Sequence, residues 1–366
     1  MSIEQNKDIS SLITCVIKKD NLTREQSRGA FFTILENRTS DMQQGAFLAA
    51  LTAKGETEEE VAGAWEAIYD IDTTKVKIDE KVHLVDNSGT GMDTFKTFNI
   101  STAASIIAAA GGIPLARHGA RAITSMSGTV DMAEALGVDV ECSADVVMNS
   151  IEKCGLGLFN GMSPNIHPKA LGRILSQIYF GSTLNIAASL ANPALPRIGV
   201  RGVYSRNMIM PVAKVMKEIG YKSAIVLHGS IDGSALGMDE ASVCGSTHCA
   251  RISENGEISQ FEIHPKTLGL EVKDSNDLAP EKDIKEEAKR FASLINNRES
   301  GSRKDATLLN AGLIYLAAGK AATIDQGIEK SARVLENGAA FETLEKWVSS
   351  QNTNPSKGLD TLYSLV

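Results

Sequence analysis

The sequence predicts a two-part α/β protein, with a small N-terminal helical domain at residues 1–75 and a large α/β domain with a mostly parallel sheet at residues 80–366. Three observations lead to this fold class. Helix-start signals recur up to about residue 75, and short β-rich runs alternate with helical stretches from about residue 80 onward. The length of 366 residues also exceeds a typical domain of about 100–150 residues, so we expect two domains with separate cores.

The N-terminal part carries three helix-start signals. Residues 21–26 offer a capped start, and Ser40 or Asp41 begins a second helix that runs to Ala53. Residues 56–60 open a third helix with acidic residues in its first turn, where the helix dipole favours negative charge. These signals predict a small helical unit.

The larger part alternates between strand and helix patterns. Apolar β-rich runs predict strands at Val82–Val85, Leu115–His118, Ile198–Val203 and Ala224–His228. Helices are predicted at Ile100–Ala110, Asp131–Leu136 and Pro211–Ile219, and a buried, nearly all-apolar helix at Asp305–Gly319. This alternation is typical of a parallel sheet covered by helices, in which ligands bind at the carboxyl ends of the strands.

Charge and composition exclude several classes of protein. A net charge of −8 and a pI near 5.4 argue against a nucleic-acid-binding surface, which usually needs a basic face. No apolar run approaches the ~18 residues of a membrane span, and the polar start of the chain is unlike a signal peptide. The five cysteines are scattered and odd in number, which favours a reducing compartment. We therefore expect a cytoplasmic protein that binds neither membrane nor nucleic acid.

A glycine-bearing turn follows the first predicted strand. Gly89 and Gly91 stand in this turn, and Asn99, Ser101 and Thr102 are candidate caps of the helix that comes next. Glycines let backbone N–H groups approach a ligand, and the amino end of a helix adds unpaired donors and a partial positive charge. The stretch predicts a phosphate-binding turn, although a turn that only reverses the chain is compatible with the same residues.

Two further stretches are suited to anions. Arg117 and Arg121 surround the glycine turn after the second predicted strand, and guanidinium groups offer paired donors to diphosphate oxygens. Taken alone, this stretch is also typical of a solvated loop. The hydroxyl-rich segment 124–131, which contains Ser127, precedes a predicted helix and forms a second anion-binding turn. Together these stretches predict a ligand with two phosphate groups.

Carboxylates complete the predicted site. Asp239 and Glu240 are adjacent in a loop after the strand that ends at His228, and Asp93 follows the first glycine turn. Acidic loop residues are usually only solvated, but beside a polyphosphate they commonly hold Mg2+, which shares its ligands with the phosphates. We expect Mg2+ at Asp239 and Glu240, with Asp93 available to a second ion.

These motifs give the chain a resemblance to the anthranilate phosphoribosyltransferase family along nearly its full length. The family's Gly-Thr-Gly-Gly-Asp-Gly…Thr-Phe-Asn-Ile-Ser-Thr is matched by residues 89–102, and its Lys-His-Gly-Asn-Arg by residues 117–121. Its Ser-Gly-x-x-Asp is matched by residues 127–131, and its Asp-Glu pair by Asp239 and Glu240. Residues 54–60, 202–205 and 308–320 also resemble the family.

The resemblance implies both architecture and chemistry. The helical domain would be hinged to the α/β domain, would include part of residues 165–190, and would form a homodimer. The reaction would transfer 5-phosphoribose from phosphoribosyl pyrophosphate (PRPP) to the amine of anthranilate with Mg2+, in tryptophan biosynthesis. With so good a leaving group, positioning and charge neutralisation require no covalent nucleophile.

The resemblance also assigns residues to roles. The implied PRPP-binding residues are Gly89, Thr90, Gly91, Asp93, Thr97, Asn99, Ser101, Thr102, Arg117 and Ser127. The implied acceptor-binding residues are His118, Ala120, His167, Arg173 and Leu175. The implied metal ligands are Asp93, Asp239 and Glu240.

The acceptor half departs from the family pattern. Leu175 and Gly181 stand where the family carries arginines that grip the anthranilate carboxylate, and Ala120 stands where it carries asparagine. Losing a charge-assisted contact of about 1.5–3 kcal/mol would weaken anthranilate binding unless Arg173 replaces it. In addition, Met92 replaces a glycine of the phosphate turn, and residues 229–237 contain an insertion near the predicted metal ligands.

These departures leave three alternatives open. A different aromatic or heteroaromatic acceptor fits the altered acceptor residues. A pyrimidine nucleoside phosphorylase-like enzyme would use inorganic phosphate, although phosphorolysis needs no metal-bound diphosphate and so leaves Asp239 and Glu240 unexplained. A catalytically silent paralogue that binds nucleic acid or a partner is disfavoured by the acidic balance but fits the bulk of Met92 and the insertion.

Overall fold

The structure, a computed structural model, describes residues 3–79, 81–91, 93–121 and 128–366. Its helices are α1 Ile3–Ile17, α2 Arg24–Leu35, α3 Asp41–Lys54, α4 Glu58–Asp72, α5 Ile100–Ala110, α6 Thr129–Ala135, α7 Ala144–Cys154, α8 Leu171–Ile178, α9 Thr183–Leu190, α10 Ile209–Glu218, α11 Ile284–Ile295, α12 Ser302–Ala317, α13 Ile324–Glu336, α14 Ala339–Ser350 and α15 Pro355–Tyr363. Its strands are β1 Val85–Ser88, β2 Leu115–Gly119, β3 Leu156–Asn160, β4 Ile198–Gly202, β5 Ser223–Ser230, β6 Gly237–Met238, β7 Thr247–Ile252 and β8 Ile258–Ile263.

The N-terminal helices begin at the caps that the sequence predicts. Thr23, Ser40 and Thr57 cap α2, α3 and α4, and each forms a reciprocal capping box with the residue three positions later. The apolar faces of these helices share one core with α8 and α9, and the Trp65 indole donates to the Leu190 carbonyl oxygen at 2.9 Å. The prediction of a small N-terminal helical domain is confirmed.

The remaining chain builds one twisted sheet. The strand order is β3-β2-β1-β4-β5-β7-β8, with β6 paired to β5. Strands β1 to β5 run parallel, whereas β6, β7 and β8 are antiparallel additions at one side. Alternate side chains of β5 enter two different cores, Ala224 and Val226 on one face and Ile225 and Leu227 on the other. The predicted mostly parallel sheet with helices on both faces is therefore confirmed.

The first strand lies three residues later than predicted. The sequence predicts a strand at Val82–Val85, but β1 covers Val85–Ser88 and Val82 is exposed. The prediction followed apolar character, whereas this strand is largely polar. Its side chains tolerate burial because they are hydrogen-bonded: Ser88 donates to Asp86 at 3.2 Å, and Asn87 donates to the Ser101 carbonyl oxygen at 2.9 Å.

Helix α12 forms the centre of the larger core. It is buried almost all round, as its apolar sequence predicts. The antiparallel strands and β3 were not predicted, since their short runs carry no distinctive alternation. No helix within the described residues combines the length and apolar character that crossing a membrane requires.

Candidate active site

The topology of the sheet fixes where a ligand binds. Strand β1 has β2 on one side and β4 on the other, so the direction in which the chain adds strands to the sheet reverses between β1 and β4. Ligands of such sheets bind beside that reversal, at the carboxyl ends of the strands. Residues 89–91 follow β1 at this edge, and the Thr90 N–H donates to the Gly202 carbonyl oxygen at the end of β4 at 3.2 Å. The glycine turn thus lies at the switch point of the sheet.

A cavity of about 120 Å³ opens beside this turn. Its lining residues are Gly89, Gly91, Asp93, Lys96, Thr97, Phe98, Asn99, Ser101, Thr102, Arg117, Gly128, Thr129, Asp239 and Glu240. Most of the predicted PRPP-binding and metal-binding residues are thereby brought together. Thr90 is adjacent but absent from the lining, while Ser127 and Met92 lie outside the described residues.

A larger cleft of about 530 Å³ lies at the opposite edge of the sheet, at the amino ends of β1 to β3. Its walls combine apolar residues such as Val82 and Met148 with Lys153 and Lys346. Neither the glycine turn nor the clustered carboxylates face this cleft. The smaller cavity at the switch point is therefore the candidate active site, because chemistry depends on convergent groups rather than on volume.

The glycine turn at residues 89–91 is in close contact with the loop that carries Asp239 and Glu240, called the carboxylate loop below. The Gly91 N–H donates to Asp239 Oδ2 at 2.7 Å. A Cβ at Gly89 would lie 2.2 Å from the same Oδ2, and a Cβ at Gly202 would lie 1.5 Å from the Asp239 carbonyl oxygen. Glycine is required at both positions because Asp239 occupies the space that a side chain would fill.

Helix α12 holds the carboxylate loop from below. The Asn310 side chain accepts from the Ala241 N–H at 2.9 Å and donates to the Ala241 carbonyl oxygen at 2.9 Å. This two-way contact fixes the backbone directly after Asp239 and Glu240. The insertion at 229–237 is also anchored at its end, because the Phe95 N–H donates to the Gly237 carbonyl oxygen at 2.9 Å.

Three carboxylates converge on one point of the cavity. Oxygen atoms of Asp93, Asp239 and Glu240 lie within 4.8 Å of one another. Burial and the charge of Asp239 raise the pKa of Asp93 to about 6, and the same causes raise the pKa of Glu240 well above its ordinary range. Lys96 offsets part of the repulsion, with its Nζ 2.9 Å from Asp93 Oδ1. This all-oxygen donor set with excess negative charge fits a hard divalent cation.

Hydroxyl and cationic donors also line the cavity. Ser101 and Thr97 donate to the Glu240 carboxylate at 3.3 and 3.4 Å. Arg117 is buried and donates from Nε to the Asn87 carbonyl oxygen at 2.9 Å and from Nη1 to Thr102 Oγ1 at 2.7 Å. Burial lowers the pKa of Arg117 to about 10, so the group remains charged at neutral pH. A buried cation and an acidic cluster thus line the same cavity.

The helix that borders the cavity begins after one of its three candidate caps. Asn99 is the N-cap of α5, but its side chain makes no capping hydrogen bond. Ser101 and Thr102 instead lie within the first turn and bond to Glu240 and Arg117. At this helix start the Ile100 N–H donates to the Phe98 carbonyl oxygen at 2.6 Å, and the Thr102 N–H donates to that of Asn99 at 3.1 Å. The helix start therefore favours an anion mainly through the positive end of the helix dipole.

Two predicted acceptor residues form a buried histidine pair. His118 Nε2 and His167 Nε2 lie 3.1 Å apart. The outer nitrogens face backbone carbonyl oxygens, His118 Nδ1 that of Ser189 at 3.3 Å and His167 Nδ1 that of Asp72. Burial lowers the pKa of both histidines. The pair connects β2, which carries His118, to the segment between β3 and α8, which carries His167.

The other predicted acceptor residues lie apart from this pair. Arg173 donates to Gln44 Oε1 at 3.0 Å and to the Ile34 carbonyl oxygen at 3.1 Å, so it ties α8 to α2 and α3. Leu175 packs against the core of the helical unit. Ala120 is exposed after β2. These contacts engage two of the five N–H donors of Arg173.

Known proteins similar to this one identify its family. Residues 81–341 match the glycosyl transferase family, a/b domain, and residues 10–70 match the glycosyl transferase family, helical bundle domain. The anthranilate phosphoribosyltransferase of Anaeromyxobacter sp. (strain Fw109-5) is 36% identical over 343 residues, which covers 93% of this chain and 98% of the relative. That of Haloarcula marismortui is 34% identical over 336 residues, covering 90% and 97%. This chain belongs to the anthranilate phosphoribosyltransferase family.

Solved structures of family members have the same fold. The anthranilate phosphoribosyltransferase of Thermus thermophilus superposes with a TM-score of 0.83 at 28% identity, covering 93% of this chain and 99% of that one. The Saccharomyces cerevisiae enzyme in complex with PRPP and Mg gives a TM-score of 0.81 at 23% identity, covering 94% and 97%. The second likeness concerns the fold alone.

The sequence alone did not predict several residues in or near the candidate active site. Lys96 follows Asp93 by three positions, a spacing that predicts an ion pair only once the turn is known. The Asp72 carboxylate accepts from the backbone N–H groups of residues 169, 170 and 171 at 2.6–3.0 Å. Arg201 lies at the end of β4, fully buried. No local pattern marks Asp72 or Arg201, because their partners are distant in the chain.

The raised pKa of Asp93 predicts a pH-dependent stability in the absence of metal. The Asp93 carboxyl group binds its proton more tightly in the folded protein than in the unfolded chain. The free energy of unfolding therefore falls as the pH rises from the ordinary pKa of 3.8 to the folded-state pKa of about 6. We expect Asp93→Asn to raise metal-free stability above pH 6 by on the order of 1 kcal/mol, with the difference shrinking towards pH 4.

Thermal or urea unfolding between pH 4.5 and 8 measures this effect, with EDTA present. The exposed Glu254, changed to Gln, is the matched control and should leave the pH profile unaltered. A stability difference for Asp93→Asn that stays constant across the range would show that the carboxyl carries no raised pKa.

Proposed function

We propose that this protein is a Mg2+-dependent phosphoribosyltransferase that moves 5-phosphoribose from PRPP to an aromatic amine, with anthranilate as the default acceptor. The observation that carries the proposal is the meeting of a glycine turn, a helix amino end and three converging carboxylates at the switch point of the sheet. A sugar diphosphate carrying a divalent cation matches both halves of this cavity. Family membership supports the same chemistry, since relatives along the whole chain are anthranilate phosphoribosyltransferases.

The residues divide into two groups by role. The turn at 89–91, the amino end of α5 and Arg117 would bind phosphate oxygens through the charged guanidinium and the positive end of the helix dipole. The Gly91 N–H, which donates to Asp239, would have to leave that partner to bind a phosphate oxygen. Asp93, Asp239 and Glu240 would hold Mg2+, in line with the S. cerevisiae relative, whose complex contains PRPP and Mg. Bound Mg2+ supplies neutralisation of the charge that develops on the pyrophosphate leaving group. No nucleophilic side chain of the protein is required, because the acceptor amine attacks the sugar itself.

The acceptor half favours a second candidate substrate class. Arg173 is engaged with Gln44 and Ile34, and Leu175 is packed in the helical core. With Arg173 bonded to the helical unit and a leucine at position 175, a carboxylate on the acceptor contributes less binding free energy than it does where an arginine binds it. A different aromatic or heteroaromatic acceptor is therefore the alternative that these contacts support.

The domain division and assembly follow from the same proposal. We assign residues 1–75 with part of 165–190 to the helical domain and residues 80–366 to the phosphoribosyl-binding domain, because α8 and α9 share the core of α1 to α4. A homodimer through the helical domain is supported by the exposed apolar side chains of Ile17 and Met42. A cytoplasmic location agrees with the free state of all five cysteines.

Thermal shift tests the function directly. We expect PRPP with Mg2+ to raise the melting temperature, whereas PRPP with EDTA, phosphate with uridine, and single-stranded DNA should each have little effect. Stabilisation by phosphate with uridine would instead support a nucleoside phosphorylase, and stabilisation by DNA alone a silent binding protein. Titrating anthranilate into the protein loaded with PRPP and Mg2+ then tests the acceptor, with release of pyrophosphate as the readout.

A further inference from the structure

Arg201 is a buried cation without a carboxylate partner. It is 1% exposed, and no acidic oxygen of the described residues lies within ion-pair distance. Burial lowers the pKa of Arg201, and the charges of Asp86 and Asp239 offset part of that effect from beyond ion-pair distance. By contrast, the equally buried Arg303 makes two hydrogen bonds to Glu287, at 2.7 and 3.1 Å. A buried charge is costly unless paired, so a buried arginine that has no carboxylate within ion-pair distance requires an explanation.

The guanidinium joins two different parts of the molecule. Nη1 donates to Ser88 Oγ at 2.6 Å, and Nη2 donates to Ser189 Oγ. Ser88 is the last residue of β1 and directly precedes the glycine turn, whereas Ser189 belongs to α9 in the helical core. Its Nε finds no partner among the described residues. Arg201 therefore bridges the base of the phosphate turn and the helical unit.

Hydrogen bonds continue from both ends of this bridge. On the sheet side, the Ser88 hydroxyl donates to Asp86 Oδ2 at 3.2 Å. On the helical side, the Ser189 carbonyl oxygen faces His118 Nδ1 at 3.3 Å, and His118 contacts His167. The His167 Nδ1 in turn faces the carbonyl oxygen of Asp72, whose carboxylate holds the amino end of α8. One continuous path thus runs from the phosphate turn to the predicted acceptor residues.

We propose that Arg201 is a positioning residue that couples the phosphate turn to the acceptor half of the site through Ser189 of α9. The inference rests on the proposed function, because it assigns the turn to PRPP. A diphosphate that binds residues 89–91 restricts the motion of Ser88. Because the Arg201 guanidinium bonds to both Ser88 and Ser189, this restriction extends to α9 and the histidine pair. A planar guanidinium holds the two serines from two separate nitrogens in a fixed geometry, whereas a lysine ammonium presents its donors from a single nitrogen.

Hydrogen exchange measures this coupling without turnover. In the wild-type protein, PRPP with Mg2+ should slow amide exchange both at residues 88–91 and in α9. In Arg201→Gln the protection at residues 88–91 should persist, while the protection in α9 should fall by about tenfold or more, which is the effect of one charge-assisted hydrogen bond. Arg201→Lys should restore part of it. Arg197→Gln, one residue before the same strand, is the matched control and should behave like the wild type.

A second variant keeps the test valid if Arg201→Gln folds poorly. Ser189→Ala removes the hydroxyl that accepts from Arg201 but keeps the carbonyl oxygen that faces His118. It should reduce the ligand-induced protection of α9 and raise the KM for the acceptor more than the KM for PRPP. Equal protection of α9 in the wild type and both variants would overturn the coupling. Absence of protection at residues 88–91 in the wild type would instead overturn PRPP binding itself, so the two failures are distinguishable.

Discussion

Changing Asp239 to Asn together with Glu240 to Gln is expected to lower Mg2+-dependent turnover by about 10³-fold or more, since a bound metal contributes several kcal/mol to stabilisation of the leaving group. The same double variant should fold, and without metal it should be more stable than the wild type at pH 7.5. The reason is that burial and mutual repulsion raise the pKa of Glu240, so ionising this cluster opposes folding above that pKa.

Initial rates over a range of Mg2+ concentrations and unfolding curves in EDTA measure the two effects. Glu254→Gln, which changes an exposed acid outside the cavity, serves as the control for loss of one negative charge. Unchanged turnover in a folded double variant would show that these carboxylates do not hold the catalytic metal. Loss of turnover accompanied by unfolding would not count in favour of the assignment.

Gly89→Ala is expected to disrupt the site by shape alone. Its Cβ would lie 2.2 Å from Oδ2 and 2.6 Å from Cγ of Asp239, so either the turn or the carboxylate must move. The hydrogen bond from the Gly91 N–H to Asp239 would be lost with that movement. We expect turnover to fall by about 10²-fold or more and stability to fall by about 1–3 kcal/mol.

Gly29→Ala provides the matched glycine control. Gly29 lies inside α2 with no atom within 4 Å of an added Cβ, so alanine should stabilise the protein by about 0.5–1 kcal/mol and leave turnover unchanged. In Gly89→Ala, the apparent affinity for Mg2+ distinguishes displacement of Asp239 from a general loss of stability, because displacement of Asp239 weakens metal binding. Normal Mg2+ affinity in that variant would show that the turn and the carboxylate loop are not in contact.

Local signals predicted the parts of the fold whose structure depends on neighbours in sequence. Thr23, Ser40 and Thr57 cap helices because the cap and its partner are three residues apart. The first strand was misplaced because Asp86, Asn87 and Ser88 are polar, and Asn87 and Ser88 are buried with partners on other elements. A hydrophobic pattern cannot predict a strand whose polar groups are satisfied by tertiary contacts.

The candidate site was predicted unevenly for the same reason. The glycine turn, Arg117 and the carboxylates follow recognisable motifs, and the structure gathers them around one cavity. Arg173 was expected to face an acceptor, a role that stays a prediction, and its guanidinium bonds to Gln44 and Ile34. Arg201 and Asp72 carried no signal, since an arginine in a strand and an aspartate at a helix end are ordinary until their partners are known.

By itself, the sequence determined the local chemistry of this protein: glycines in a turn, polar residues at the helix start that follows it, and a pair of adjacent acids. Only the tertiary structure decided that these groups meet, because Gly91 and Asp239 are 148 residues apart and come within 2.7 Å through the order of strands in the sheet. That order depends on burying both faces of the sheet, which is a property of the whole chain and of no single motif.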